Sequence, residues 1–199
     1  YGSDKGINKV FTLDLGENFN TSNVTLFGSY ACSGMFDRCT NLTTLDLSGF
    51  DTSSASDMRS MFHYCTSLKS VKFGPNWNTS KVGVISSMFY GCSSLTTVDL
   101  SSFNTSKVHN MGIMFYGCTS LISLDLTNFD LSSVVMMDGM FGDCSSLKSV
   151  KFGETTTPEL STVNIMFGGC TSLTELDMSS FDFTSCSTTS NMIKNCNSL

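Results

Sequence analysis

A frame of about 26 residues recurs along the whole chain and constrains its fold more than any other feature. Residues 88–103 read MFYGCSSLTTVDLSSF, and close copies of this frame begin at six other methionines, which we call anchor methionines together with Met88. These anchors, 26 or 27 residues apart, are Met35, Met61, Met88, Met114, Met140, Met166 and Met192. A fixed period of this size is typical of a solenoid, in which one supersecondary unit stacks on the next. The chain is therefore predicted to be an array of coils.

The array divides into two regions. Residues 1–34 are the least regular, and we expect them to form an atypical N-terminal coil that covers one end of the stack. Residues 35–199 hold six full repeats and the start of a seventh, which stops at Leu199. Because the chain lacks an initial Met and ends within a repeat, we expect it to be an excerpt of a longer protein.

The first half of each repeat carries a helix-like apolar pattern. In one repeat the apolar residues are separated by 3, 3, 1 and 3 positions, namely Val108, Met111, Met114, Phe115 and Cys118. Such spacing predicts a short amphipathic helix. The polar residues just before it, 104–106, offer side-chain oxygens that could cap its first N–H groups.

The second half of each repeat alternates between apolar and polar residues. Leu124, Asp125 and Leu126 alternate with period 2, which predicts a short strand with both leucines inward and the aspartate outward. Strand, helix and strand in one direction give parallel pairing through right-handed crossovers. The predicted fold is therefore an α/β right-handed solenoid with one short parallel strand and one short helix in each 26-residue coil.

A short polar residue recurs just ahead of the predicted helix. Asn20, Asn78 and Asn104 share this repeat position with Asp51, Asp130 and Asp182. Short side-chain oxygens at such a position turn or cap the backbone. We therefore interpret them as local structural residues.

The cysteines are interpreted as packed core residues. Seven of the nine form one column: Cys39, Cys65, Cys92, Cys118, Cys144, Cys170 and Cys196. Cys32 and Cys186 fall on the same apolar stripe. Equivalent residues of stacked coils have parallel Cα–Cβ vectors, which disfavour a disulfide, and free cysteine packs as a small apolar residue. No ligand spacing typical of zinc is present, so neither a metal nor a cofactor is expected.

Composition and charge exclude several classes of function. A net charge of −6 and an isoelectric point near 4.7 disfavour a nucleic-acid partner, which needs a basic surface. No apolar run is long enough to insert into a membrane. His63 and His109 read as solvated helix residues, and no acid, base and nucleophile recur together. Catalysis is therefore not expected.

The outward strand positions form the largest ordered surface that remains. The candidate binding face comprises Thr44, Asp46, Lys72, Thr97, Asp99, Ser123, Asp125, Lys151, Glu175 and Asp177. Its central row is acidic, and the two lysines interrupt the repulsion between stacked carboxylates. Two readings stay open: a solvated face that keeps the chain soluble, or an extended binding surface of the kind that solenoids present to partners.

The frame MFxxCxSLxxLDLSxFDTSxVxxM resembles the leucine-rich-repeat variant of BspA-like bacterial surface proteins, from about Leu13 to Leu199. The resemblance implies a cell-surface or secreted protein that contacts proteins or glycans on another surface. We therefore expect an extracellular interaction or adhesion module. The alternative is a structural subunit whose coils stack into a fibre or coat by self-association through the open C-terminal end.

Overall fold

The computed structural model describes residues 20–29 and 33–199, which form short strands joined by consecutive turns. The strands are β1 Gly28–Ser29, β2 Ser33–Gly34, β3 Thr44–Leu47, β4 Ser70–Phe73, β5 Ser123–Leu126 and β6 Ser149–Phe152. The first two pair antiparallel, and the others form two parallel pairs, β3 with β4 and β5 with β6. Most of the predicted N-terminal cap, 1–19 and 30–32, lies outside the described residues.

The prediction of one helix per coil is wrong. Across the described ranges there is no helix, so an α/β leucine-rich-repeat solenoid with a helix in each coil does not fit this chain. None of the described segments forms a helix that could cross a membrane. The segment predicted to be helical consists instead of consecutive turns.

Hydrogen bonds within residues 111–118 explain why no helix forms. The N–H of Ile113 donates to the carbonyl of Asp138 in the next coil at 2.7 Å. The N–H of Tyr116 instead donates to Ile113, three residues back, at 3.3 Å. Alternate N–H groups therefore bond to the next coil and to their own turn, whereas an α-helix would bond each of them four residues back.

The apolar spacing fits turns better than a helix when a longer stretch is considered. Inward residues follow one another at steps of mostly three along one coil, as in Thr105, Val108, Met111, Met114, Cys118, Leu121 and Leu124, and all of them are buried. In an α-helix each three-residue step falls about 60° short of a full turn, so this stripe would drift off the core face. Consecutive turns return a side chain to the core every third residue.

From the Met61 coil onward, each turn segment contains two backbone positions with left-handed φ, whereas the Met35 coil has only the later one, at Arg38. They stand one residue before and three residues after the anchor methionine, as at Ile113 (φ 49°) and Gly117 (φ 72°). Glycine, serine and asparagine occupy several of these positions, but Ile113 and Ile165 are β-branched residues, for which left-handed φ is unfavourable. The repeated φ reversals allow alternate peptide groups to point toward the neighbouring coil.

Parallel contacts at the repeat period stack the coils on one another. Besides the two parallel strand pairs, isolated parallel bridges join equivalent residues of consecutive coils. This column runs through Leu26, Asp57, Val84, Asn110, Met136, Thr162 and Thr188. The predicted stacking of repeats is thus present, although it is built from turns and short strands.

Most members of the columns predicted to be core are buried, but Met35 in the first repeat is 41% exposed. Successive anchor phenylalanine rings stack with centroids 5.1–5.7 Å apart, through Phe36, Phe62, Phe89, Phe115, Phe141 and Phe167. Within the strands, Leu45 and Leu47 are buried whereas Asp46 is exposed, as the alternation predicts. Apolar burial of the repeated columns therefore holds the stack together.

The described cysteines have free thiols, and five members of their column are fully buried. The thiol of Cys118 donates to the carbonyl of Phe89 in the preceding coil at 3.1 Å, and the bond recurs along the column. Burial raises the pKa of the Cys65 and Cys170 thiols to about 12. The prediction that every cysteine lies in the core is wrong for Cys39, which is exposed, and Cys32 lies outside the described residues.

Candidate interaction surfaces

The predicted binding face is exposed but does not form one continuous sheet. Nine of its ten residues are exposed, and the tenth, Thr44, is half-buried. Register places Asp46 beside Lys72 in one strand pair and Asp125 beside Lys151 in the other. Thr97, Asp99, Glu175 and Asp177 lie in coils without a regular strand.

One exposed ion pair forms on this face. The Lys72 ammonium lies 3.0 Å from the Asp46 carboxylate, and their side chains are 69% and 58% exposed. Hydrogen bonds from Ser48, followed by the contact with Lys72, lower the pKa of Asp46 to about 2. An ion pair this exposed contributes little to stability because water screens it.

The acidic residues of this face also have a local structural role. The carboxylates of Asp99 and Asp125 accept hydrogen bonds at 2.9 Å from the N–H groups of Ser101 and Thr127, two residues on. Hydrogen bonds from the side-chain hydroxyls of Ser101 and Thr127, followed by these backbone bonds, lower the pKa of both aspartates. Such a carboxylate closes the turn that ends the strand. The acidic row is thus explained in part by turn formation.

The residues ahead of the next turn act in the same way, as the sequence predicts. Ser80 donates its N–H to Asn78 at 2.9 Å, and Ser132 donates to Asp130 at 2.9 Å. Equivalent bonds involve Asn20, Asp51, Asn104 and Asp182. Their interpretation as turn-closing residues is confirmed.

A groove of about 650 Å³ lies on the predicted face beside β6. Lys151, Glu154, Glu175 and Asp177 contribute its charged lining, together with the half-buried side chains of Phe152 and Leu176. Among the described residues, no three histidine, cysteine or acidic side chains are grouped so that they could hold a metal ion. The groove is therefore a polar surface depression with an excess of negative charge.

A second surface, absent from the sequence-based prediction, lies on the turns that follow the anchor methionines. We call it the tyrosine band: Arg38, Tyr64, Tyr90, Tyr116 and Asp143, one from each of five consecutive coils. The Arg38 guanidinium lies 5.2 Å from the Tyr64 ring centroid. The Tyr64–Tyr90 and Tyr90–Tyr116 centroids are 5.2 and 5.3 Å apart. The Tyr116 hydroxyl donates to Asp143 at 2.6 Å.

Glycines of the following coils make room for the tyrosine rings. A Cβ on Gly91 would lie 2.7 Å from the Tyr64 ring, and one on Gly142 would lie 2.5 Å from the Tyr116 ring. The rings can therefore lie against the backbone of the next coil. The hydrogen bond to Asp143 also raises the pKa of Tyr116 to about 12, because only the protonated hydroxyl can donate to the carboxylate.

His63 is buried and packs against two rings of the tyrosine band. The prediction of a solvated His63 is wrong, because the side chain is 7% exposed and its Nδ1 lies 2.7 Å from the Asp37 carboxylate. Its ring packs against Tyr64 and Tyr90, with centroids 4.6 and 5.1 Å away. His109, in contrast, is exposed as predicted.

The sequence does contain a signal for the tyrosine band. The two residues between the Met-Phe pair and the column cysteine vary from repeat to repeat, reading DR, HY, YG, YG and GD in the five coils concerned. The surrounding frame stays constant. Aromatic and charged residues in a variable, turn-forming position indicate a surface role more than a packing role.

Comparison with known proteins identifies a family but no closer relative. A family model described as "Mycoplasma protein of unknown function, DUF285" matches residues 7–97, 30–151 and 122–199, which together cover most of the chain. The three overlapping matches agree with a repeated sequence. No curated protein and no solved structure matches the chain significantly.

Proposed function

The chain belongs to the DUF285 family, and from that premise we propose that it is a protein-interaction or adhesion module acting at the cell surface or after secretion. The tyrosine band is the observation that carries this proposal. Tyrosine and arginine are the residue types that most often dominate binding energy at protein interfaces. Tyr64 is 36% exposed and the Arg38 side chain is 68% exposed, so both can reach a partner.

The rigidity of the supporting turns favours binding through the band. Each tyrosine ring contacts its neighbour in the next coil, so little side-chain freedom is left to lose when a partner docks. Asp143 fixes the Tyr116 hydroxyl by a hydrogen bond, and the buried His63 packs against the rings of Tyr64 and Tyr90. A preorganised aromatic surface of this kind suits a protein partner.

The proposed location rests on the resemblance of the repeated frame to BspA-like bacterial surface proteins. We propose that the chain is related to them in sequence. Protease treatment of intact source cells, followed by an immunoblot with an antibody to residues 33–199, tests the location. Loss of the protein from intact cells supports exposure at the surface, whereas protection until lysis would contradict it.

The candidate binding face on the outward strand positions, called the acidic face below, is a second candidate surface for the same function. Its five acidic residues and two lysines give a net charge of −3. This charge suits a basic protein or a glycan rich in hydrogen-bond donors, and such binding would weaken with salt because exposed charges are screened. Binding through the acidic face is therefore expected to weaken more with salt than binding through the three tyrosines.

Adhesion of coated beads to cultured host cells tests the function and separates the surfaces. One variant combines Tyr64→Ser with Tyr116→Ser in the tyrosine band. Its matched control combines Asp99→Asn with Asp125→Asn on the acidic face. We expect the tyrosine variant to lose most of the adhesion and the aspartate variant to retain it, with both showing the circular dichroism of the wild type.

The opposite pattern, with adhesion lost only in the aspartate variant and reduced by salt, would move the site to the acidic face. Wild-type beads that adhere neither to host cells nor to one another better than uncoated beads do would contradict the proposed function itself.

A further inference from the structure

The tyrosine band has a positive charge at one end and a negative charge at the other, so a two-fold rotation of a second band would bring opposite charges together. Arg38 stands at one end and Asp143 at the other, with three tyrosines between them. Each member is one coil beyond the last, so Tyr90 is the midpoint and lies two coils from either charge. The contacts that connect the five residues are continuous along this series.

We propose that the tyrosine band binds the same band of a second copy of this chain, in antiparallel orientation about a two-fold axis at Tyr90. The inference rests on the proposed function, because it uses that surface and names its partner. In a two-fold interface the same patch serves both copies, and each contact occurs twice. Here Arg38 of each copy would face Asp143 of the other, and Tyr64 would face Tyr116.

The spacing of the coils makes this pairing geometrically consistent. Stacked coils are separated by about 4.8 Å, as adjacent strands are, so the two charges lie about 19 Å apart along the stack. A second copy presents an acid and a base at that separation, in reversed order, with tyrosines between them.

The charges at both ends remain available for such contacts. Arg38 lies 3.7 Å from Asp37, but the Arg38 side chain is 68% exposed whereas Asp37 is 20% exposed and contacts His63. Asp143 is exposed and uses one carboxylate oxygen for the Tyr116 hydroxyl. The other oxygen can accept a hydrogen bond from an approaching guanidinium.

The band is narrow, which sets the expected strength of pairing. Five side chains over five coils cover much less than the roughly 800 Å² per partner of a standard stable interface. We therefore expect a dissociation constant of about 10–100 µM for the isolated chain. Copies displayed close together on a surface would pair more strongly through their high effective concentration.

Charge reversal tests the pairing by sedimentation velocity at protein concentrations from about 1 to 500 µM. R38E alone and D143R alone should each weaken dimerisation by about tenfold or more, because every dimer contains the altered contact twice. The double variant R38E/D143R restores opposite charges and should recover wild-type dimerisation to within about threefold. K107E, which reverses an exposed charge outside the band, is the matched control and should have no effect.

The two exchanged positions have equivalent backbone geometry. Arg38 and Asp143 occupy the same repeat position and have nearly the same backbone conformation, with φ of 57° and 56°. A mixture of the R38E and D143R proteins provides a second test, since unlike charges meet at both ends only in the mixed dimer. The mixture should therefore dimerise although neither variant does so alone.

A wild-type chain that stays monomeric at the highest concentration would refute the self-pairing. Dimerisation that neither R38E nor D143R weakens would also refute it. So would a mixture of the R38E and D143R proteins that does not dimerise. The bead adhesion assay separates this result from the proposed function. A monomeric chain whose beads adhere to host cells through the tyrosines would retain the function and lose only the inferred partner.

Discussion

Replacing Thr79 with Val tests the hydrogen bonds that join consecutive coils inside the stack. Thr79 is 1% exposed, and its hydroxyl donates to the carbonyl of Asn104 at 2.9 Å. The same hydroxyl accepts the N–H of Asn104 at 2.7 Å. An equivalent reciprocal pair links Thr52 to Asn78, so this contact is a recurring connection between coils.

The magnitude follows from the two backbone groups that lose their partner. Valine has nearly the shape of threonine but no hydroxyl, so the N–H and C=O of Asn104 would both be left unpaired. Each unsatisfied buried group costs about 1–3 kcal/mol. Because Asn104 is an exposed residue, water can reach part of it, and we expect Thr79→Val to lower the free energy of unfolding by about 2–4 kcal/mol. Thr79→Ser keeps the hydroxyl and should cost about 1 kcal/mol for the lost methyl group.

Guanidinium unfolding followed by tryptophan fluorescence measures the difference. Trp77 is the only tryptophan, is 4% exposed and lies two residues from the substitution, so its emission reports on this coil. The serine variant is the matched control, because it removes packing without removing the hydrogen bonds. A valine variant that is as stable as the serine variant would refute the reasoning that the hydroxyl joins the coils.

Three other properties can be tested separately. Ile165 is 43% exposed and has a left-handed φ of 56°, so Ile165→Asn should raise the free energy of unfolding by about 1 kcal/mol. Ile122 is 48% exposed but lies outside the left-handed region, so Ile122→Asn should not raise it, and thermal melts compare the two variants. Hydrogen bonds from the Ser132 hydroxyl and N–H lower the pKa of Asp130, so the stabilisation by its carboxylate is complete above about pH 4 and is lost as pH falls through the lowered pKa. Asp130→Asn should therefore flatten the acid unfolding profile followed by circular dichroism, and an unchanged profile would contradict this. Burial raises the pKa of Cys118 well above its ordinary value, so an alkylating reagent should label exposed Cys39 first, and equal rates by peptide mass spectrometry would argue against a buried thiol column.

Several features of the fold could be predicted from the sequence because they depend on local periodicity. The 26-residue period predicted stacked repeats, and alternation in 124–126 correctly placed both leucines inward. The recurrence of Asn or Asp ahead of each turn correctly predicted side chains that close the backbone, as at Asn78. Burial of a repeated apolar column and the chemistry of a short polar side chain act over a few residues, so the sequence is sufficient to predict them.

The tertiary structure alone decided where the backbone hydrogen bonds go. Residues 111–118 carry spacing compatible with a helix over one or two turns, yet the N–H of Ile113 has an acceptor in the next coil at 2.7 Å. That acceptor exists only after the coils have stacked, and it competes with the carbonyl that a helix would use. Local spacing could not show which acceptor would prevail.

The same dependence on neighbours explains why the tyrosine band and the burial of His63 were missed. Tyr64, Tyr90 and Tyr116 are each a full repeat apart in sequence, and they meet only because consecutive coils lie one strand spacing apart. His63 is covered by aromatic rings of its own and the next coil, so its burial depends on packing between repeats. The sequence by itself determined the period and the buried columns, whereas stacking decided which surface residues lie together, because contacts between coils form only when every coil is in place.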